Sequence, residues 1–214
     1  MDGLIFMWPM MAQRTLWVNK GDGTFEENGL MAGAAYSADG VARAGMGVAA
    51  GDIDNDEGED VLVTNLAKEG STLYLNNGLG TFEDALLPFN LSRPAFHPQG
   101  SGWAGLTTTT TVIWICLPPA ARVMLLPSLR GTVYPYREKN QLFHNEGEKK
   151  AFREVSPTAG PAFQLSERAA RAAFGDIDND GDVDILSTNN NGPARLLLNE
   201  NTNRFNWLEL SWKL

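Results

Sequence analysis

The chain has 214 residues, 43% of them hydrophobic, and a formal charge of −9, which suits one sizeable domain or two small ones with an ordinary core. The charge is local: windows 52–60 and 176–184 hold six and five acidic residues and no Lys or Arg, so the remainder is slightly basic. This pattern excludes a generally acidic solvating protein, and with no basic stripe present nucleic acid is not an expected partner.

In chain order, the opening MDGLIFMWPMMAQR has an acidic second residue and an internal Pro, a poor match to a secretion signal. The chain is expected to be truncated at both ends. From Thr15 the segment TLWVNKGDGTF begins a module that returns as TLYLNNGLGTF from Thr72, QLFHNEGEKKAF from Gln141 and RLLLNENTNRF from Arg195. Each copy is a short apolar run, an Asn, a polar or Gly-bearing turn and a Phe. The equivalent residues Leu16, Leu73, Leu142 and Leu196 lie 57, 69 and 54 positions apart, too far for one hairpin. A second module precedes two of these copies: GVAAGDIDNDEGEDVLVTN from Gly47 and RAAFGDIDNDGDVDILSTN from Arg171.

Joined, the modules read as strand, acidic loop, strand, turn, strand, Gly turn, strand. Four antiparallel strands recurring every 50–60 residues or so describe a propeller blade, and no helical periodicity supplies the crossovers of a parallel sheet. The expected fold is all-β: a partial β-propeller of about three to four four-stranded blades with calcium loops between strands. It spans residues 1–205, with 206–214 opening a further segment.

The acidic loops carry the chemistry. Asp176, Asp178, Asp180 and Asp184 occupy loop positions 1, 3, 5 and 9, with Gly181 at the sharp turn and Asp182 offering its backbone carbonyl. Ca²⁺ takes about six to eight hard oxygen ligands in flexible geometry, and a loop turning back on itself supplies them from alternate residues. Without a cation the carboxylates repel one another and their pKa values rise. The earlier loop repeats this with Asp52, Asp54, Asp56 and Asp60 but has Glu57 where Gly is expected and Gly58 one position late, so a strained or weaker site is expected there. Mg²⁺ fits less well, because it demands rigid octahedral geometry. An EF-hand needs a Glu at position 12 between helices; Val63 and Ser187 stand there instead. Asn55 and Asn179, between the ligands, are assigned turn roles. The plain alternative for both loops is a solvated surface turn.

GDIDNDGDVDIL, preceded by AAF and followed by TNNNGPARLLLN, resembles the FG-GAP/VCBS propeller repeat. With the turns KGDGTF and NGLGTF, the phrase KNQLFHNEG and the terminal NRFNWLEL, it is most similar to the cartilage acidic protein family. In that family the propeller precedes an ASPIC/UnbV domain, whose opening residues 206–214 resemble. The resemblance implies a seven-bladed, integrin-α-like propeller when complete, Ca²⁺ in the blade loops, an extracellular or cell-envelope location, and an adhesion or protein- or glycan-binding role. A partial ring also leaves unpaired strand edges that invite self-association.

Residues 93–127 depart from the repeat. A third acidic loop is expected near Thr107–Ile115, where the chain offers GWAGLTTTTTVIWICL. Shifted back by one nucleotide, each Thr codon within the run yields Tyr, His, Asn or Asp, Trp103–Ala104 yields Gly, and Trp114–Ile115 yields Asp. The permitted translation includes GWFDYDNDGDLDLF, a calcium loop with its following strand. Two readings stand: a local frame shift restored before about residue 131, which would make the lone Cys116 accidental, or a natural Thr-rich strand insert. The apolar run Val112–Leu126 is too short to span a membrane and is broken by Pro118, Pro119 and Arg122.

Catalytic candidates are few. His97 lies in the irregular stretch, His144 sits on a predicted strand, and no nucleophile elbow, P-loop or zinc spacing occurs. The expectation is a non-enzymatic module, with a calcium-dependent hydrolase or lyase as one alternative. The other is a lectin-like propeller stacking sugars on Trp17, Tyr74 and Phe143, which occupy equivalent positions and suit packing between blades better. The frame question has a direct test. Sequencing the gene across codons 100–131 is expected to show the required third bases if the frame breaks there; any other codons establish the insert.

Overall fold

The computed structural model describes residues 5–8, 14–65, 69, 71–85, 89, 102–108, 111–117, 138–146, 151–167 and 169–200. Within these the chain is all-β, its helical content limited to a 3-10 turn at Pro161–Gln164. The strands form open antiparallel meanders. The first meander joins β1 (Ile5–Trp8), β2 (Thr15–Asn19) and β3 (Phe25–Glu27). The second joins β4 (Gly45–Gly51), β5 (Asp60–Asn65), β6 (Thr72–Asn76) and β7 (Phe82–Asp84). The third is built from β8 (Gly102–Thr108) and β9 (Thr111–Leu117), with β10 (Glu138–Lys139) set aside, then β11 (Gln141–Asn145) and β12 (Phe152–Glu154). Strand β10 pairs with β13 (Ser166–Glu167) in a small ribbon. The fourth meander joins β14 (Ala169–Gly175), β15 (Asp184–Asn189) and β16 (Arg195–Leu197).

The repeats therefore mark equivalent strands. Leu16, Leu73, Leu142 and Leu196 all fall on the third strand of a four-strand plan, represented by β2, β6, β11 and β16. The Asn closing each apolar run starts the turn: Asn19 and Asn76 accept hydrogen bonds at their side-chain oxygens from the backbone N–H of Gly21 (2.9 Å) and Gly78 (3.0 Å), the local bonding that makes Asn a turn former. Gly21, Gly23, Gly78 and Gly80 follow at positive φ. First strands line up across sheets, β4 beside β8 and β8 beside β14, as inner strands of successive blades do around an axis.

Alternation along each strand gives every meander a rear face, toward the preceding sheet, and a forward face, toward the next. Leu16 on the forward face of the first meander packs with Val61, Val63, Tyr74 and Phe82 on the rear face of the second. Leu62 and Leu73 on the second's forward face, with Ile53, pack with Phe143 and Phe152 of the third. Leu142, forward on the third, packs with Phe174, Ile185 and Leu197 of the fourth. Each core is thus a seam between consecutive repeats.

Arg14, which precedes β2, was not singled out by the sequence, yet it is fully buried in the first seam. It donates to the Tyr74 hydroxyl (2.5 Å), Asn65 Oδ1 (2.9 Å) and Thr72 Oγ1 (3.1 Å) and lies 5.5 Å from the centre of the Tyr74 ring. The Tyr74 hydroxyl in turn donates to the Tyr36 carbonyl at 2.9 Å. Burial holds the Arg14 pKa below its usual value, and burial likewise pushes Tyr74 up to about 12.

Where a third acidic loop was expected, β8 and β9 run antiparallel from Gly102↔Leu117 to Thr108↔Thr111, and β9 pairs in register with β11. The β-branched Thr, Val and Ile of this stretch are residues that suit a pleated strand. The third meander thus has a short connection in place of the loop that separates β4 from β5 and β14 from β15. How the side chains of 102–117 pack, like His97 and the ASPIC/UnbV-like residues 206–214, lies outside the described residues.

The seams predict unequal costs at equivalent positions. Leu73→Ala, at a fully buried site, is expected to lower stability by roughly 2–5 kcal/mol. Leu196→Ala, 47% exposed, is expected to cost less than about 1 kcal/mol. Urea unfolding of dilute samples reads both.

Candidate metal centres

Each acidic loop leaves the first strand of its meander and returns on the second. In the loop at 176–184, Asp176 accepts the backbone N–H of Asp180 (3.1 Å) and of Gly181 (2.9 Å) on its two oxygens, and Asp180 Oδ1 accepts the N–H of Asp182 at 3.0 Å. In the loop at 52–60, Asp52 accepts from Asp56 (3.2 Å) and Glu57 (3.1 Å), and Asp56 Oδ1 from Gly58 (2.8 Å). The same bonds recur position for position. Asn55 and Asn179 both take left-handed backbone at φ 60, a conformation Asn tolerates better than most residues. The loops part at the next turn, where Gly181 has φ 91 and Glu57 has φ 68. A side chain held there costs on the order of 1 kcal/mol, the strain expected from a misplaced Gly.

The ninth residue of each loop is its anchor. Asp60 and Asp184 are fully buried. Asp60 accepts the N–H of Ile53 (2.7 Å) on one oxygen and that of Asn76 (2.9 Å) on the other. Asp184 does the same with Ile177 (2.8 Å) and Asn199 (2.9 Å). One carboxylate thus fastens the loop's start to the meander's third strand or its end. For the first loop a further tie comes from Asn145 of β11, whose Nδ2 donates to the Ile53 carbonyl at 2.7 Å.

Two carboxylate triads result. Asp52, Asp54 and Asp56 each offer an oxygen within 4.8 Å of the others, as do Asp176, Asp178 and Asp184. Oxygens on opposite sides of a calcium ion bound at about 2.3–2.6 Å stand roughly 5 Å apart, so each triad can share one such ion. Asp180 and Asp182 of the second loop, and Gly58 and Asp60 of the first, fall outside the triads and shape the loops by the bonds given above. Among the described residues the strands that follow, β5 and β15, place Val63 and Ser187 in sheets rather than in helices.

Electrostatics point the same way. Burial, with the charges of Asp54 and Asp56 adding to it, pushes the Asp60 pKa up to about 6 against its two backbone donors. Asp178 is also raised, by desolvation first and then by Asp180 and Asp184.

Residues 132–187 match the model of the FG-GAP-like repeat family. The window is similar to an FG-GAP-like repeat. It takes in β10 to β14, the whole loop 176–184 and the start of β15, so the second triad lies inside the matched residues. The loop at 52–60, outside the window, repeats the carboxylate-to-backbone bonds of the loop at 176–184. No curated protein matches the chain. No helix among the described residues is long and apolar enough to cross a membrane.

Because the folded pKa of Asp60 exceeds that of an unfolded Asp, the folded state holds a proton that the unfolded chain has released. Stability in chelator is therefore expected to fall as pH rises from about 4 to about 6 and to level off above. Asp60→Asn, which cannot titrate, is expected to flatten that slope in urea midpoints measured across this range; an unchanged slope assigns the titration elsewhere.

Proposed function

We propose that the chain is a calcium-loaded, propeller-type binding module acting outside the cell, without catalytic activity of its own. The observation that carries this reading is the pair of Asp triads, at loop positions 1, 3 and 5 in the first loop and 1, 3 and 9 in the second, the second lying inside the residues that match an FG-GAP-like repeat. The donor set is all oxygen and anionic, which suits a hard divalent cation, and its spread suits Ca²⁺ better than the tighter shell of Mg²⁺. Residues Asp176, Asp178 and Asp184 would hold one ion and Asp52, Asp54 and Asp56 another. The ion would neutralise carboxylates that otherwise repel, adding folding free energy through its preference for the folded loops. Millimolar extracellular calcium is enough to load sites of moderate affinity.

The meanders would then serve as blades of an integrin-α-like propeller whose surface takes a protein or glycan ligand. The likeness of KNQLFHNEG and NRFNWLEL to the cartilage acidic protein family supports the adhesion role. Tyr74 and Phe143 are buried in seams, which favours packing over sugar stacking at those positions.

Titration calorimetry of the intact chain tests the reading. Calcium is expected to bind with a stoichiometry near two, and Asp176→Asn with Asp178→Asn to remove one site while circular dichroism stays that of a β protein. Glu57→Gly, which relieves the strained turn, is expected to tighten the site at 52–60. No calcium uptake by a folded sample would refute the proposal.

A further inference from the structure

Two meanders, not one, hold the loop at 52–60. Its own meander contributes Asn76, whose backbone N–H donates to Asp60 at 2.9 Å and whose Nδ2 donates to the Glu59 carbonyl at 3.3 Å. The third meander contributes Asn145, at the same repeat position on β11, whose Nδ2 donates to the Ile53 carbonyl at 2.7 Å. Asn145 is buried and shares the rear face of its strand with Phe143, two residues earlier.

Ile53 lies between Asp52 and Asp54, two members of the first triad. Its N–H donates to Asp60 at 2.7 Å, and its carbonyl accepts from Asn145. Its side chain is fully buried in the cluster that joins Leu62 and Leu73 to Phe89, Phe143 and Phe152. The same junction is closed by the Phe152 N–H, which donates to the Phe89 carbonyl at 3.2 Å, and by the rings of these two residues, 5.8 Å apart. One residue is therefore both the spacer between two candidate ligands and a point where the second and third meanders meet. With its N–H, carbonyl and side chain all engaged, the carboxylates on either side of it start from fixed backbone.

We propose that Asn145 is a positioning residue for the cation site at 52–60, supplied by the neighbouring meander, so that loading the site and closing the seam favour one another. The proposal rests on the calcium reading above and names what regulates that site. Asn145 acts through Ile53 rather than on the ion. A buried carbonyl that loses its donor is costly, so without Asn145 the loop shifts toward arrangements in which Asp52 and Asp54 converge less well. Coupling of this kind is reciprocal: whatever the ion gains from the docked third meander, the docked meander gains from the ion.

NMR of the intact chain, titrated with calcium, reads each loop from its own amides: Asp56 and Glu57 for the first, Asp180 and Gly181 for the second. Asn145→Ala is expected to weaken binding at the first loop roughly three- to tenfold, the equivalent of one neutral hydrogen bond, and to leave the second unchanged. Equal weakening at both loops marks a general loosening of the fold, and unchanged binding at the first marks a bond without influence on the ion; either overturns the proposal. Should Asn145→Ala fail to fold, the parent answers instead. Exchange of its Asn145 side-chain amide protons is expected to slow several-fold when calcium is added, and an unchanged rate overturns the proposal. A folded parent that binds at the second loop alone overturns it while leaving the calcium reading of that loop intact; one that binds at neither removes the reading and the proposal together.

Discussion

The structure turns on one buried carboxylate per acidic loop. Asp60 and Asp184 each spend both oxygens on backbone N–H groups, one at the loop's start and one at or just past the end of the third strand. A buried anion is costly unless hydrogen-bonded, and here two main-chain donors offset part of that cost while joining segments that are distant in sequence. With the ninth residue anchored, the residues at positions 1 to 5 have little freedom, and their side chains are drawn together. Clustering of charge is thus a consequence of folding the blade. In the reading proposed above, a cation would answer the repulsion that results, which would tie calcium to stability as well as to shape.

The second organising feature is the seam. Among the described residues the buried apolar clusters lie between consecutive meanders, so stability is distributed along the chain in the manner of repeat proteins. Arg14 shows how tightly these seams are closed, with a guanidinium held among Tyr74, Asn65 and Thr72.

Much of this was legible in the sequence. The four copies from Thr15, Thr72, Gln141 and Arg195 fall on equivalent strands because the apolar run, the Asn and the Gly turn are local signals that need no tertiary knowledge. The carboxylates at alternate positions and the misplaced Gly58 were legible for the same reason, and Glu57 is indeed the residue held at φ 68. What the sequence hid was non-local. Asp60 looks like a further ligand yet falls outside its triad, and only the distant partners Asn76 and Asn199 reveal that Asp60 and Asp184 are anchors, Asp184 belonging to its triad as well. Arg14 carries no sequence signal of its own, and its burial depends on the next meander. Trp17 matches Tyr74 and Phe143 in pattern, yet it is exposed where they are buried, because among the described residues no sheet packs on its side. The Thr-rich stretch that breaks the acidic pattern still forms strands, since its composition suits a sheet even where the loop residues are missing.

The central claim is that these loops cage a hard divalent cation. Amide hydrogen exchange of the intact chain, with calcium and then with chelator, tests it most directly. The account predicts that calcium slows exchange at the N–H groups of Asp56, Glu57, Asp180 and Gly181, which the first carboxylate of each loop holds, and changes the central strands β5 and β15 much less. Equal exchange at all four amides with and without calcium would contradict it.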